Sequence, residues 1–417
     1  MLSKEVKITQ LLILTYILTR LSEKEQQFIR EHRTDDISAL LLRPNPAGLD
    51  LKKLAAQLSA RQKARYKLPT WYETDELVFP PALSVEQASS EATARYKASL
   101  VQGGLLLDLT GGMGVDTWAF AQRLRTVIYV EQQPELAELA ASNLATLGLT
   151  NVTVQTGNGL VVVQTLSEPA DWLYLDPHRR DEQGGKVVRL ADCEPDLSKP
   201  DVLAGLLTKA STILLKTSPL IDIDATIRQL SGPAQGVRAV HIVALQGEVK
   251  EVLFIVDRQP IDQALIEVNA VNLLSDNTIH ICFRRQEERT AEVQFGDPQA
   301  YLYEPNAAVL KAGAFRLVAS RFGLLKLAPH SHLYTSDTLR ADFPGRIFRV
   351  EQHIRAERKA LQAVVPRLKA NLTVRNFPQT VAELRKKLSL QEGGDQYLFA
   401  TTLLNGDKRL VVCRKAN

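Results

Sequence analysis

Between residues 103 and 258 short apolar runs alternate with amphipathic stretches. Strands buried on both faces by helices read as continuous apolar runs, so this alternation points to βαβ units and a largely parallel sheet. Strands are predicted at 105–109, 127–130, 152–155, 172–175, 213–216, 239–244 and 249–256, with helices over 115–124, 134–147 and 202–210 among the connections. Only Gln246-Gly247-Glu248 separates the last two strands, so they are expected to form an antiparallel hairpin at the edge of the sheet. The fold class is α/β.

The flanks read differently. Residues 1–68 place apolar side chains at helical spacing, and the run 68–81 breaks that periodicity with prolines, as an extended connector does. A helix is predicted over 84–100, with Ser84 as its N-cap. Beyond Pro260 an α+β pattern begins, with strands at 265–269 and 278–283 and a helix over 306–322. A final piece reads as strand 346–351, basic helix 355–365, strand 370–374, helix 380–388 and the strand pair 397–403 and 409–413. The expected division is 1–100, 101–260, 261–325 and 326–417.

With 45% hydrophobic and 24% charged residues among 417, the chain is neither fibrous nor disordered as a whole. A net charge of +4 indicates nucleic acid only if the basic residues cluster. Three cysteines without a C-x-x-C pair argue against a zinc ribbon, an iron–sulfur cluster and a disulfide framework, so no metal and a reducing, cytoplasmic setting are expected. The apolar run 8–19 is too short to span a bilayer and lacks a small-x-small cleavage site, so a buried helix is expected there.

Asp108-Leu-Thr-Gly-Gly-Met-Gly114 follows a predicted strand and opens a predicted helix, where glycines let a ligand approach the backbone. Glu131 ends the next strand, in position to accept both ribose hydroxyls of a nucleoside. Dinucleotides and S-adenosyl-L-methionine are both bound in this way. In the dinucleotide pattern G-x-G-x-x-G, Gly112 and Gly114 would lead, and Thr117 stands where the third glycine belongs. Asp108 can instead meet the cationic amino group of a methionine moiety. The stretch from Asp108 through Thr110, Gly111, Gly112 and Gly114 resembles motif I of class I methyltransferases, and Glu131 resembles the acid of motif II. That resemblance implies a Rossmann-like sheet.

In that fold the third strand presents an Asp or Asn to the adenine amino group, and Asn158 stands there, although an Asn after a strand also serves as a turn former. Asp176-Pro177-His178-Arg179-Arg180 ends the fourth strand and resembles the D/N-P-P-x motif IV of base methyltransferases. His178 and Arg179 depart from it, standing in place of the second proline and the stacking aromatic. Asp176 is expected to accept a hydrogen bond from a target amino group, with Pro177 stiffening the turn and His178 as a base or a hydrogen-bonding side chain. Arg179 and Arg180 can hold phosphate or form salt bridges with Asp181 and Glu182. Lys216 and Ser218, after the fifth strand, point to the same sheet edge as pocket residues or as a Ser-Pro turn. In related enzymes the region of Gln87 and Ser90 closes over the methionine end of the cofactor.

Basic residues dominate 355–387, as clusters tracking a phosphate backbone do, or as solvated helix faces do. Arg375-Asn-Phe-Pro378, Glu383-Leu-Arg-Lys-Lys387 and Tyr397-Leu-Phe-Ala-Thr401 resemble the THUMP-like domain that ends a bacterial family of class I methyltransferases. Tyr303-Glu-Pro-Asn-Ala-Ala308 resembles that family's ferredoxin-like module. The resemblance implies methylation of a base in tRNA or rRNA, with RNA as partner. A methyltransferase acting on protein or a small molecule, and a non-catalytic RNA-binding protein, are the alternatives.

Overall fold

The computed structural model describes residues 21–44, 48–179 and 189–416. The run 8–19, Arg180, Asp181 and Glu182 lie outside the described residues. The chain divides into two compact units, 1–238 with 253–261, and 239–252 with 262–417.

The first sheet is built from β1 (Leu105–Asp108), β2 (Thr126–Glu131), β3 (Val152–Thr156), β4 (Ala170–Leu175), β5 (Ala210–Thr217), β6 (Gly236–Leu245), β7 (Glu248–Asp257), β8 (Glu267–Leu273) and β9 (Thr278–Arg284). Among the described residues its order is β9-β8-β6-β7-β5-β4-β1-β2-β3. The ladders β2–β3, β1–β2, β1–β4 and β4–β5 are parallel, as the alternating pattern requires. Strand order reverses between β1 and β4, the position at which open α/β sheets bind ligands beyond the strands' carboxyl ends.

β6 and β7 form the expected hairpin, closed by Gln246 and Gly247, both at positive φ (52° and 83°), as a two-residue primed turn needs. It does not lie at the edge. β8 runs parallel to β6, and β9 pairs antiparallel with β8. The strands expected to open a separate α+β region therefore extend the first sheet. Val268, Ala270, Val271, Ile281 and Phe283 are all buried, so these strands have apolar faces of their own to cover.

The predicted helix over 84–100 is two helices, Ala82–Gln87 and Glu91–Leu100, broken where Ala88 takes an extended conformation. Ser90 caps the second helix by accepting from Thr93 N at 3.2 Å; Ser84 caps neither. The connector also holds a short helix, Pro69–Glu73, because proline at the first helical position needs no N–H partner. Glu91 reaches across to accept from Thr70 N at 2.6 Å. Fully buried Arg61 donates to the carbonyls of Tyr72, Thr74, Asp75 and Leu77, and Gln57 and Asn143 serve the backbone of Phe79 and Val78. Side chains thus satisfy a connector that has no ladder of its own.

The second unit carries a seven-stranded sheet among the described residues. Its strands are β10 (Tyr301–Pro305), β11 (Leu325–Lys326), β12 (Tyr334–Ser336), β13 (Gly345–Arg355), β14 (Asn371–Val374), β15 (Gln396–Thr402) and β16 (Lys408–Lys415), ordered β11-β12-β10-β13-β16-β15-β14. The helix predicted over 306–322 is interrupted at Gly313, whose φ of 72° ends Ala307–Ala312 before Phe315–Phe322 starts. Buried Glu304 accepts from Arg346 Nε at 2.8 Å and Arg375 NH2 at 2.9 Å.

Candidate active site

The carboxyl ends of β1, β2 and β4 meet around a cavity of about 550 Å³. The glycine turn forms its floor. Gly111 N donates to Val130 O at 2.8 Å, and the Tyr129 hydroxyl donates to Gly112 O at 2.6 Å. A Cβ at Gly111 would lie 2.2 Å from the Tyr129 ring, and Gly114 has a φ of 86°. Gly111→Ala is therefore expected to cost about 1–3 kcal/mol of stability and to displace the turn. An unchanged urea midpoint would show that the turn has room to spare.

Glu131 accepts from Gly112 N and from Gln133 N, each at 2.9 Å, so it braces the turn and lines the cavity with its remaining lone pairs. Thr110 accepts from Asp176 N at 2.7 Å, tying the end of β1 to that of β4. Asp176 lines the cavity with a side chain 38% exposed, and Lys216 donates to it at 2.5 Å. Gln87, His178 and Asn158 also line it. Asn158 spends its Oδ1 on Leu160 N at 2.9 Å.

Other expected site residues are engaged elsewhere. Ser90 is buried in its capping role, and Ser218 Oγ accepts from Leu220 N at 3.2 Å. Neither they nor Pro177 line the cavity.

Asp108 is buried, accepting from Thr117 at 2.7 Å and from Thr110 N at 3.1 Å. Burial pushes its carboxyl up to about 7 against those hydrogen bonds, and Asp116 and Asp176 push the same way. The native state therefore holds a proton between about pH 4 and 7 that the unfolded chain releases. Over that window the Asp108 contribution to stability falls as pH rises, and above pH 7 it is constant. Asp108→Asn should flatten the pH dependence of the urea midpoint between about pH 4 and 7. Equal slopes in both proteins would assign the proton to another group.

Sequence reading missed a buried cluster beside Asp108. Asp116 accepts from Tyr174 at 2.7 Å and from Ser89 at 2.8 Å, and fully buried Lys97 lies 3.2 Å from its other oxygen. Burial opposes ionisation of Asp116, but Lys97, Lys216 and the two hydroxyls outweigh it and hold the carboxyl below its ordinary value. The available signal was Lys97 beside Thr93, Ala94 and Ala98, a charge on the apolar face of its helix.

The cavity wall presents five acidic side chains, Asp108, Asp116, Glu131, Asp176 and Glu194, and neither lysine nor arginine among the described residues. Among the described lining residues a pyrophosphate would face acidic groups and no lysine or arginine. A ligand carrying sulfonium and ammonium charges fits.

The comparisons agree with this chemistry. Residues 71–174 match the protein-L-isoaspartate(D-aspartate) O-methyltransferase family model, 301–344 a ferredoxin-like domain, and 345–415 a THUMP domain-like model. The last two matches meet within one continuous sheet, where β10 pairs with β13. An uncharacterized S-adenosylmethionine-dependent methyltransferase of Mycobacterium tuberculosis is 23% identical over 77% of this chain and 82% of its own. The crystal structure of a proposed methyltransferase from Porphyromonas gingivalis W83 is 35% identical, covers 96% of this chain and 100% of its own, and superposes with a TM-score of 0.83. With that relative matched over its whole length and the C-terminal modules in place, the chain belongs to the class I S-adenosylmethionine-dependent methyltransferases that carry a C-terminal THUMP-like domain.

Proposed function

We propose that the protein transfers the methyl group of S-adenosylmethionine to a base in tRNA or rRNA. The observation that carries the RNA assignment is the THUMP domain-like match over 345–415, in a segment where basic residues exceed acidic ones.

Glu131 would take the ribose hydroxyls, the backbone at Gly111, Gly112 and Gly114 would lie against the nucleoside, and Asn158 would meet the adenine. Asp108 and Asp116, with Gln87, would face the cationic methionine end, and Ser90 would act only by positioning the helix behind Ser89. When bound, S-adenosylmethionine supplies a methyl group on a positively charged sulfur, an already activated leaving group. The chain's own task is therefore orientation and handling of the acceptor proton.

Asp176, held by Lys216, accepts a hydrogen bond from the acceptor N–H, and Pro177 stiffens the turn that carries it. His178, exposed beside Asp176, takes the proton released as the new bond forms. Arg179 and Arg180, next in the sequence, would meet RNA phosphate, and Ser218 shapes the turn after Lys216.

Transfer of labelled methyl to total RNA and total protein from a strain lacking the gene tests the reading. Label in one RNA size class, absent with Asp176→Ala, is expected. Label in protein alone, or cofactor binding without any label, would overturn the RNA substrate.

A further inference from the structure

The second unit holds a groove apart from the cofactor cavity. Segments far apart in sequence, 355–357, 377–379, Lys387 and 407–409, meet around a cavity of about 510 Å³. Its wall carries Arg355, Lys387, Lys408 and Arg409 against Glu357 and Asp407. Asp407 already accepts from Arg409 at 2.6 Å, so those two largely cancel.

The basic residues of this unit fall into two groups. Arg375, Arg385 and Arg414 are tied to Glu304, Glu392 and Glu351, and so act within the fold. Among the described residues no carboxylate pairs with Arg355, Lys387 or Lys408. These three exposed cations share a concave wall with Phe377, which is half-buried against the core beneath, and with exposed Pro378. Three cations opposed only by exposed Glu357 concentrate positive potential where an anion can neutralise it. An aromatic ring beside them suits a ligand that alternates phosphates with flat bases.

We propose that this groove binds a single RNA strand, with Arg355, Lys387 and Lys408 on consecutive phosphates and Phe377 against a base. The proposal rests on the RNA reading above and adds the surface that holds the strand. Arg409 acts by positioning Asp407, which keeps that carboxylate from competing with phosphate.

The test is fluorescence anisotropy of the full chain with bulk tRNA and with a short single-stranded RNA, titrated with salt. Three lost phosphate contacts, at about 0.7 each for a single strand, should reduce the slope of log affinity against log salt by about 2 in the triple variant Arg355→Gln, Lys387→Gln, Lys408→Gln. Affinity at low salt should fall at least about tenfold. Phe377→Leu should lower affinity with the slope unchanged, because stacking releases no counterions. Removing equal charge at exposed sites of the first unit, with Lys24→Gln, Lys52→Gln and Arg123→Gln, should change little. Unchanged S-adenosylhomocysteine affinity in each variant would confirm that the first unit is intact.

RNA binding with wild-type affinity and slope in the groove variant would overturn the groove and leave the RNA reading standing. Equal losses in the groove and control variants would overturn it also, by showing that net charge alone binds. No RNA binding by the wild type, together with no label in RNA, would overturn both.

Discussion

Asp176→Ala is expected to lower kcat by about 100-fold or more while S-adenosylhomocysteine binds as before, because loss of one acid–base or charge-stabilising group costs on that order. Asp176 N remains bonded to Thr110, so the turn keeps its place, and only the carboxylate proposed to meet the acceptor disappears. Asp176→Asn retains an acceptor oxygen without the charge and should fall between the two. Lys216→Met removes the partner that orients Asp176, and its effect should largely vanish in the Asp176→Ala background, as expected for residues acting as one unit. Single-turnover rates and calorimetry on the same preparations separate chemistry from binding. Wild-type turnover in Asp176→Ala would remove the residue from the reaction.

Glu131→Ala should weaken cofactor binding by ten- to a hundredfold, on the order of 1.4–3 kcal/mol. Two losses combine: the acceptors offered to a ribose, and the brace on Gly112 N and Gln133 N. Glu131→Gln separates them in part, since one oxygen remains while an amide donor now faces a backbone donor. Calorimetry with S-adenosylhomocysteine reads the affinity, and thermal unfolding reads the brace. Unchanged affinity in both variants would take Glu131 out of the site.

Much of this site was legible in the chain because its signals are local. Asp108 through Gly114 and Glu131 stand at strand ends, and strand ends follow from the period of apolar residues over a few positions. The same signal puts Asp176 directly after β4. Ser90 is expected near the cofactor because its neighbourhood is polar. A serine before Glu91-Ala-Thr93 is also the standard helix N-cap, and the backbone uses it so. Lys97 and Asp116 lay 19 residues apart in sequence with no pattern joining them, yet they share one buried cluster.

The sequence by itself determined the parallel sheet, its glycine turn and the acids at three strand ends, since each depends on side chains within one element or its adjoining turn. Tertiary structure decided the rest. It laid 267–284 on the first sheet, because those strands have buried apolar faces. It tied Arg375 and Arg385 to carboxylates and left Arg355, Lys387 and Lys408 on one wall. The physical reason is that desolvating a charge is costly unless a partner is found, and partners are found in space rather than along the chain.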